Sequence, residues 1–166
     1  MNDETIFKRV SCRDFLDKEV ENEKIEKLLA AAMQAPSSMD QRPCEFFVVK
    51  DKDTKIALSK GSIFFGEAPK APVNIVVCYK EGLKGNQFRD VDCAMASQNI
   101  LLEATSLGLG SIFLGVAPDQ NRQKIVELAL GIVSPLHAFA IIPIGYPASL
   151  KEPESRYNPK KIHWEK

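Results

Sequence analysis

Several things are scarce in this sequence. It has two histidines, one tryptophan and no excess of either charge, with 22 Lys and Arg against 22 Asp and Glu. Zero formal net charge removes the electrostatic reason to expect nucleic acid or an anionic membrane as a partner, since both attract excess positive charge. Any anion site must therefore be local. The four cysteines, Cys12, Cys44, Cys78 and Cys93, include no Cys-x-x-Cys pair, and no histidine is close to one in sequence. The spacing of a zinc site is missing. Four thiols could make two disulfides, but Cys78 and Cys93 fall in apolar segments that read as buried. No signal-peptide pattern is present, so free thiols in a reducing cytoplasm are expected. The uncharged apolar runs are far shorter than the ~20 residues of a membrane-spanning helix.

Familiar catalytic patterns are absent as well. His137 opens an apolar strand and His163 falls in a polar tail, neither beside a carboxylate and nucleophile that would suggest a triad. Ser37 and Ser38 lack the glycine elbow of a hydrolase nucleophile. No pair of carboxylates stands out. Gly108-Leu109-Gly110-Ser111 follows a helical segment instead of opening one, the wrong order for a dinucleotide-binding turn, and reads as a helix C-cap. The polar residues suggest binding more than acid–base chemistry, so an enzyme here would take its reactivity from a cofactor.

What is present is a 166-residue chain, 45% apolar, long enough for one domain with a sizeable core. A short first helix carries Ile6 and Phe7, with Asp3 as its cap. From Glu21 to Gln34, Ile25, Leu28, Leu29, Ala32 and Met33 share one helical face, and Pro36 stops the helix. Phe46 to Val49 reads as a short buried strand, and Asp53 as the cap of a helix through Lys60. Val73 to Cys78 reads as a second buried strand. The helix from Phe88 to Leu107 has Glu103 as its only charge after Cys93. A helix apolar on nearly every side is buried on nearly every side, and a partner subunit could complete its cover. Ser111 to Val116 reads as a strand. Asp119 opens an amphipathic helix with Ile125, Leu128 and Ala129 inward, and Ala138 to Ile144 is a last strand. The tail from 148 to 166 has no core periodicity. The whole, 1–166, reads as one α+β domain.

Two segments concentrate polar groups. Ala35-Pro36-Ser37-Ser38-Met39-Asp40-Gln41-Arg42-Pro43 is a stiff connection with more hydrogen-bonding groups than a turn needs. It reads either as a proline-rigidified loop with self-capping serines or as a ligand contact. Arg9-Val10-Ser11-Cys12-Arg13 sets two guanidiniums four residues apart. It reads either as a solvated basic turn or as a phosphate clamp, because the arginine fork matches phosphate oxygens.

Taken in order, these segments resemble the nitroreductase family of flavin enzymes. Arg9 to Phe15 is similar to that family's R-R-S-x-R-x-F start, and Ala35 to Phe46 to its A-P-S-x-x-N-x-Q-P-W-x-F signature. Asp92-Cys93-Ala94-Met95-Ala96-Ser97-Gln98-Asn99 with Ile100-Leu101-Leu102 is similar to its central helix. Gly108 to Ser111, Phe113-Leu114-Gly115, Pro143 to Pro147 and Arg156 match the remainder. The resemblance implies a nitroreductase-like sandwich, with a central mixed sheet flanked by helices. It also implies a homodimer with swapped C-terminal arms (148–166) and FMN at the subunit interface. Arg9, Arg13 and Arg156 would hold the FMN phosphate, with Val10 and Ser11 beside the cofactor. Pro36, Ser37, Ser38, Asp40 and Arg42 would approach the flavin from the other subunit, and Leu114 and Gly115 would face its ring. The implied activity is hydride transfer from NADH or NADPH through flavin N5 to a nitroaromatic, quinone or similar small acceptor. A specialised reduction of the dehalogenase kind, or a flavin-binding regulatory protein with little turnover, are alternatives.

Four positions depart from the family pattern. Val10 stands where a second arginine is common. Asp40 and Arg42 stand in place of two amides, and could satisfy each other or set a cation near the flavin pyrimidine. Cys44 stands where a bulky tryptophan is usual, which leaves space to be filled.

Overall fold

The computed structural model describes residues 4–165. Five helices, α1 (Thr5–Lys8), α2 (Asn22–Met33), α3 (Lys52–Ser59), α4 (Arg89–Ser106) and α5 (Gln120–Leu130), pack around strands β1 (Cys44–Val49), β2 (Val73–Lys80), β3 (Gly110–Ser111), β4 (Leu114–Gly115) and β5 (Leu136–Gly145). The strand order is β1-β2-β5-β3, and β4 also pairs with β5. Among the described residues every ladder between these strands is antiparallel. The parallel component of the expected mixed sheet is confined to the isolated bridge Ser11↔Ser111.

The sandwich follows from period-2 alternation on two strands buried on both faces. Val73, Ile75 and Val77 of β2, with Ala140, Ile142 and Ile144 of β5, meet Ile25, Leu28 and Ala32 of α2 and Cys93, Ala96, Ile100 and Ala104 of α4. On the opposite face Val76, Cys78, Ala138 and Ile141 meet Leu58 of α3, Val126 of α5, and Phe65 and Ala68 of the preceding turn. The register between β2 and β5 slips at Val77/Cys78. That bulge lets Ala138 and Ile141, an odd number of residues apart, share a face.

Several local expectations need correcting. Asp51, not Asp53, caps α3, where its carboxylate accepts from the Thr54 N–H at 2.8 Å and the Thr54 hydroxyl at 2.7 Å. β1 is an edge strand, with Val49 buried and Phe46 and Phe47 only half-buried. Met33 and Leu128 point outward, and α5 turns Val126 to the core instead. Val126 lies one turn from Leu130, which is partly buried against the same cluster, so the inward stripe is rotated from the expected one. The strand expected from Ser111 to Val116 is split into β3 and β4. The break falls opposite Pro143 of β5, which has no N–H to continue the ladder. Asp3 lies outside the described residues. Asp119 does cap α5, accepting from the N–H groups of Asn121 and Arg122.

The long apolar helix α4 is where the sequence reading and the single chain diverge most usefully. Cys93, Ala96, Ile100 and Ala104 face inward, but Val91 is 56% and Met95 41% exposed, with Ala94 and Gln98 exposed beside them. These four recur at i, i+3, i+4 and i+7, so they form one stripe. From Ala148 to Glu165 the chain is exposed throughout and, apart from the short turn Pro159–Lys161, has no regular structure. No helix of the described residues is long and apolar enough to cross a membrane.

Candidate functional site

The segment Arg9–Arg13 leaves α1 and runs beside the sheet, tied by the Ser11↔Ser111 bridge and by the Cys12 N–H donating to the Ser111 carbonyl at 3.0 Å. Two cavities lie along it. One, of about 670 Å³, is lined by Arg9, Val10, Ile6, Phe7 and Gln98 and, from the tail, by Pro153 to Tyr157, including Arg156. The chain thus brings Arg9 and Arg156 together. Among the described residues neither is held in an ion pair, which leaves both guanidiniums available to an anion.

Arg13 faces the other cavity, of about 410 Å³, together with Leu114, Gly115, Phe113, Phe64, Lys70 and Arg122. Its Nε lies 3.5 Å from Glu67. Arg122 donates from Nη1 to the Gly115 carbonyl at 3.1 Å, lies 3.4 Å from the Asp119 carboxylate and sits over the Phe65 ring. Phe64, Phe113 and Leu114 share the cleft with three cations and the Glu67 carboxylate, a lining that suits an aromatic ligand with a polar, electron-rich edge. Arg13 does not line the cavity of Arg9 and Arg156, so the three expected phosphate ligands divide two and one.

The Pro36–Arg42 loop is elsewhere, at the other end of α4. Pro36, Ser37 and Arg42 line a cavity of about 310 Å³ with Pro43, Cys44 and Asp92. Pro36 also borders an apolar cleft of about 630 Å³ along α4, formed by Val91, Ala94, Met95, Gln98, Pro118 and Phe139. Gln98 lines both this cleft and the Arg9/Arg156 cavity. A continuous surface therefore joins the loop, the exposed stripe of α4 and the two arginines. Leu114 and Gly115 are not reached by the loop of the same chain.

The loop is held in an unusual shape. Met39, Asp40 and Arg42 have φ of 55, 51 and 46°, a left-handed region that costs side-chain-bearing residues roughly 1 kcal/mol or more each. Asp92, 3% exposed, offsets this by accepting from the Ser38 N–H at 2.9 Å and from Gln41 Nε2 at 2.7 Å. Gln41 is fixed further by Gly85, to whose carbonyl it donates and whose N–H it accepts, both at 3.0 Å. The Ser37 hydroxyl accepts from the Arg42 N–H at 2.9 Å. Asp40 and Arg42 satisfy each other through two bonds of 2.9 and 2.8 Å. The guanidinium holds the Asp40 carboxyl below its ordinary value. Asp92, Gln41, Lys70 and Arg122 were missed in the sequence. The two acids Asp90 and Asp92 in the first turn of an otherwise apolar helix were the available signal for Asp92.

His137 lies between Glu127 (3.2 Å) and Glu81 (3.3 Å), away from these cavities, in a ring of contacts that closes the β5 entrance. It belongs to the scaffold.

The fold and clefts define an α+β sandwich that binds small molecules, with a cationic cradle at one end and a planar, cation-edged slot beside it. The chain belongs to the nitroreductase family, whose profile matches residues 6–63 and 63–146. It is 39% identical to an Archaeoglobus fulgidus protein named provisionally as an NADH dehydrogenase/NAD(P)H nitroreductase, over 97% of this chain and 95% of that one. The FMN-dependent nitroreductase of Clostridium difficile R20291 is 34% identical, with a TM-score of 0.89 and 98% of each chain covered. A Clostridium acetobutylicum protein named provisionally as an NADH oxidase is 40% identical, with a TM-score of 0.94 over 98% of this chain and 99% of that one.

Proposed function

We propose that two copies of this chain bind FMN between them and pass electrons from NADH or NADPH to a small acceptor such as a nitroaromatic or a quinone. The broader class, an NAD(P)H-dependent flavin oxidoreductase, follows from family membership and from relatives named as FMN-dependent and NAD(P)H-using reductases. The observation that carries the finer reading is the Arg9–Arg13 segment, which serves a cationic cavity on one side and a planar cation-edged slot on the other. FMN has that bipartite chemistry, a phosphate at one end and a flat ring at the other. The residues present fit it.

FMN held there would supply the two-electron chemistry between nicotinamide and acceptor. Arg9 and Arg156 hold the phosphate, Val10 and Ser11 flank the chain between phosphate and ring, and Leu114 and Gly115 floor the ring. Arg13, Lys70 and Arg122 favour negative charge at the ring's polar edge. Arg122 also fixes the Gly115 carbonyl, so the floor keeps its shape. Pro36, Ser37, Ser38, Asp40 and Arg42 serve the site of the second copy. Their separation from Leu114 and Gly115 within one chain supports this, as does the exposed α4 stripe between the two regions. The 148–166 tail is an arm on the single domain 1–166, lying against the second copy. The four free thiols support a cytoplasmic location.

An absorbance spectrum of the purified protein tests the reading. A flavin spectrum with one FMN per chain, bleached by anaerobic NADH or NADPH and restored by a quinone or nitroaromatic, is the expected result. Protein that stays colourless after FMN addition would sink it, and bound flavin that neither nucleotide bleaches would remove the turnover.

A further inference from the structure

Cys44 and Cys93 face each other across the seam between β1 and α4, sulfur to sulfur at 3.4 Å. The proposed flavin chemistry uses neither. Cys44 is half-buried and forms part of the wall of the 310 Å³ cavity beside Pro36, Ser37, Arg42 and Asp92. Cys93 lies behind it, fully buried, with the Cys78 carbonyl at 3.8 Å as its other polar neighbour. A small molecule in the cavity meets the Cys44 sulfur first. Cys93 lines none of the cavity, and its nearest sulfur is that of Cys44. An accessible thiol backed by a second within reach is the arrangement of an oxidisable cysteine with its resolving partner.

We propose that Cys44 is an oxidation site for a small hydroperoxide entering this cavity, and that Cys93 resolves the product to a Cys44–Cys93 disulfide. In the first step the Cys44 thiolate attacks the terminal peroxide oxygen. An S–O bond forms, the O–O bond breaks, and the leaving oxygen takes the proton as water or an alcohol. In the second step the Cys93 sulfur attacks the sulfenic sulfur, the S–S bond forms, and the hydroxyl leaves as water with the Cys93 proton. Two thiols are oxidised by two electrons and one hydroperoxide is reduced, so the step is balanced.

The surroundings assign the order of events. The hydrogen bond from the Cys93 thiol holds Cys44 below its ordinary value, while the same bond and burial push Cys93 well up. Of the two, Cys44 therefore gives up its proton more readily. The other two thiols are buried and line none of the four cavities described, and burial raises Cys12 and pushes Cys78 up to about 12. Bond formation needs the sulfurs to close by about 1.4 Å, to the usual S–S length. The crosslink would pin the first residue of β1 to α4 one position from Asp92, where the Pro36–Arg42 loop already hangs. The inference does not rest on the flavin reading, and FMN-free protein tests it, because Pro36, Ser37 and Arg42 of the cavity wall are the residues proposed to approach a second copy's flavin.

The test is titration of the folded, reduced full-length protein with hydrogen peroxide, followed by thiol counting, intact mass and peptide mapping. The expected result is loss of two thiols per chain, a mass lower by two hydrogens, a Cys44–Cys93 crosslinked peptide and full reversal by dithiothreitol. Cys44→Ala should slow thiol loss by on the order of tenfold. Cys93→Ala should leave a Cys44 sulfenic acid that dimedone traps. If Cys93→Ala does not fold, the wild-type peptide map decides alone. Retention of all four thiols, first oxidation at Cys12 or Cys78, or a crosslink between two chains would each overturn the proposal.

Discussion

At the scale of single residues, Asp92 has a strained loop to hold. Its two oxygens accept from different donors, the Ser38 N–H and Gln41 Nε2. Asp92→Asn keeps the size but must turn an NH2 toward one of them. Gln41 cannot flip in response without losing both of its bonds to Gly85. A buried donor is left facing a donor, so we expect a loss of about 1–3 kcal/mol in urea unfolding and weaker FMN binding through a looser loop. Unchanged stability would mean that the loop holds its own shape. Arg42 acts on a neighbour that can be watched directly. The guanidinium depresses Asp40, so the pair's contribution is present above the ordinary carboxylate value of 3.8 and is lost as pH falls through the lower folded value. Arg42→Gln should move the Asp40 titration, followed by NMR, back up toward 3.8. It should also change flavin affinity or reduction rate. If both stay fixed, Arg42 is outside the site.

At the scale of elements, two glycines where β3 pairs with β5 let Cys12 and Pro72 pack closely on the sheet. Gly110 and Gly145 are direct register partners. A Cβ on Gly110 would come within 2.6 Å of the Cys12 sulfur, and one on Gly145 within 2.5 Å of Pro72 Cδ. Neither neighbour is the free end of a long side chain. Gly110→Ala and Gly145→Ala should each cost roughly 1–3 kcal/mol by overpacking, and Gly110→Ala should also disturb the Arg9–Arg13 segment through Cys12. Equal unfolding midpoints for variant and wild type would contradict this. By contrast, Asp119→Ala removes the α5 cap together with the partly exposed ion pair to Arg122 and should cost about 1 kcal/mol, measured the same way. Helix α2, the C-cap at Gly108 and the buried β2 were legible because a 3.6- or 2-residue period, or a left-handed glycine, writes itself into the sequence. Gly108, with φ of 72° and the Leu109 N–H bonded to the Ala104 carbonyl at 2.8 Å, ends α4 as read. The α5 stripe was misread because Leu128 and Val126 are both apolar. Which one turns inward depends on the neighbouring α3 and β5, a tertiary fact. The division of the third strand needed the register opposite Pro143, which the local pattern does not contain.

At the scale of the whole molecule, an α4 buried on every side was expected, and one chain leaves a stripe bare. The expectation that a partner completes the cover came from composition, and the structure shows which residues would need covering: Val91, Ala94, Met95 and Gln98. The site divides in the same way. The family resemblance places Arg9, Arg13, Arg156, Leu114 and Gly115 of one subunit and the Pro36–Arg42 loop of the other around one cofactor. Folding brings together only subsets, as a ligand shared between two chains would require. The proposed second copy would answer both gaps if it sat on the α4 stripe with its loop toward the Leu114–Gly115 slot. A charge on that stripe separates assembly from folding, since its inward neighbours Cys93, Ala96 and Ile100 are untouched. Met95→Glu should therefore leave the circular dichroism of the FMN-free protein intact but lower its sedimentation mass from two chains to one. FMN affinity should fall by at least about tenfold, because half of each site is missing. The stabilisation that saturating FMN gives the wild type, about 2.7 kcal/mol at a hundredfold excess over Kd, should shrink with it. A Met95→Glu protein that is monomeric yet binds FMN as tightly as wild type would show that one chain holds the cofactor alone, and would return the Pro36–Arg42 loop to the role of a stiff connection.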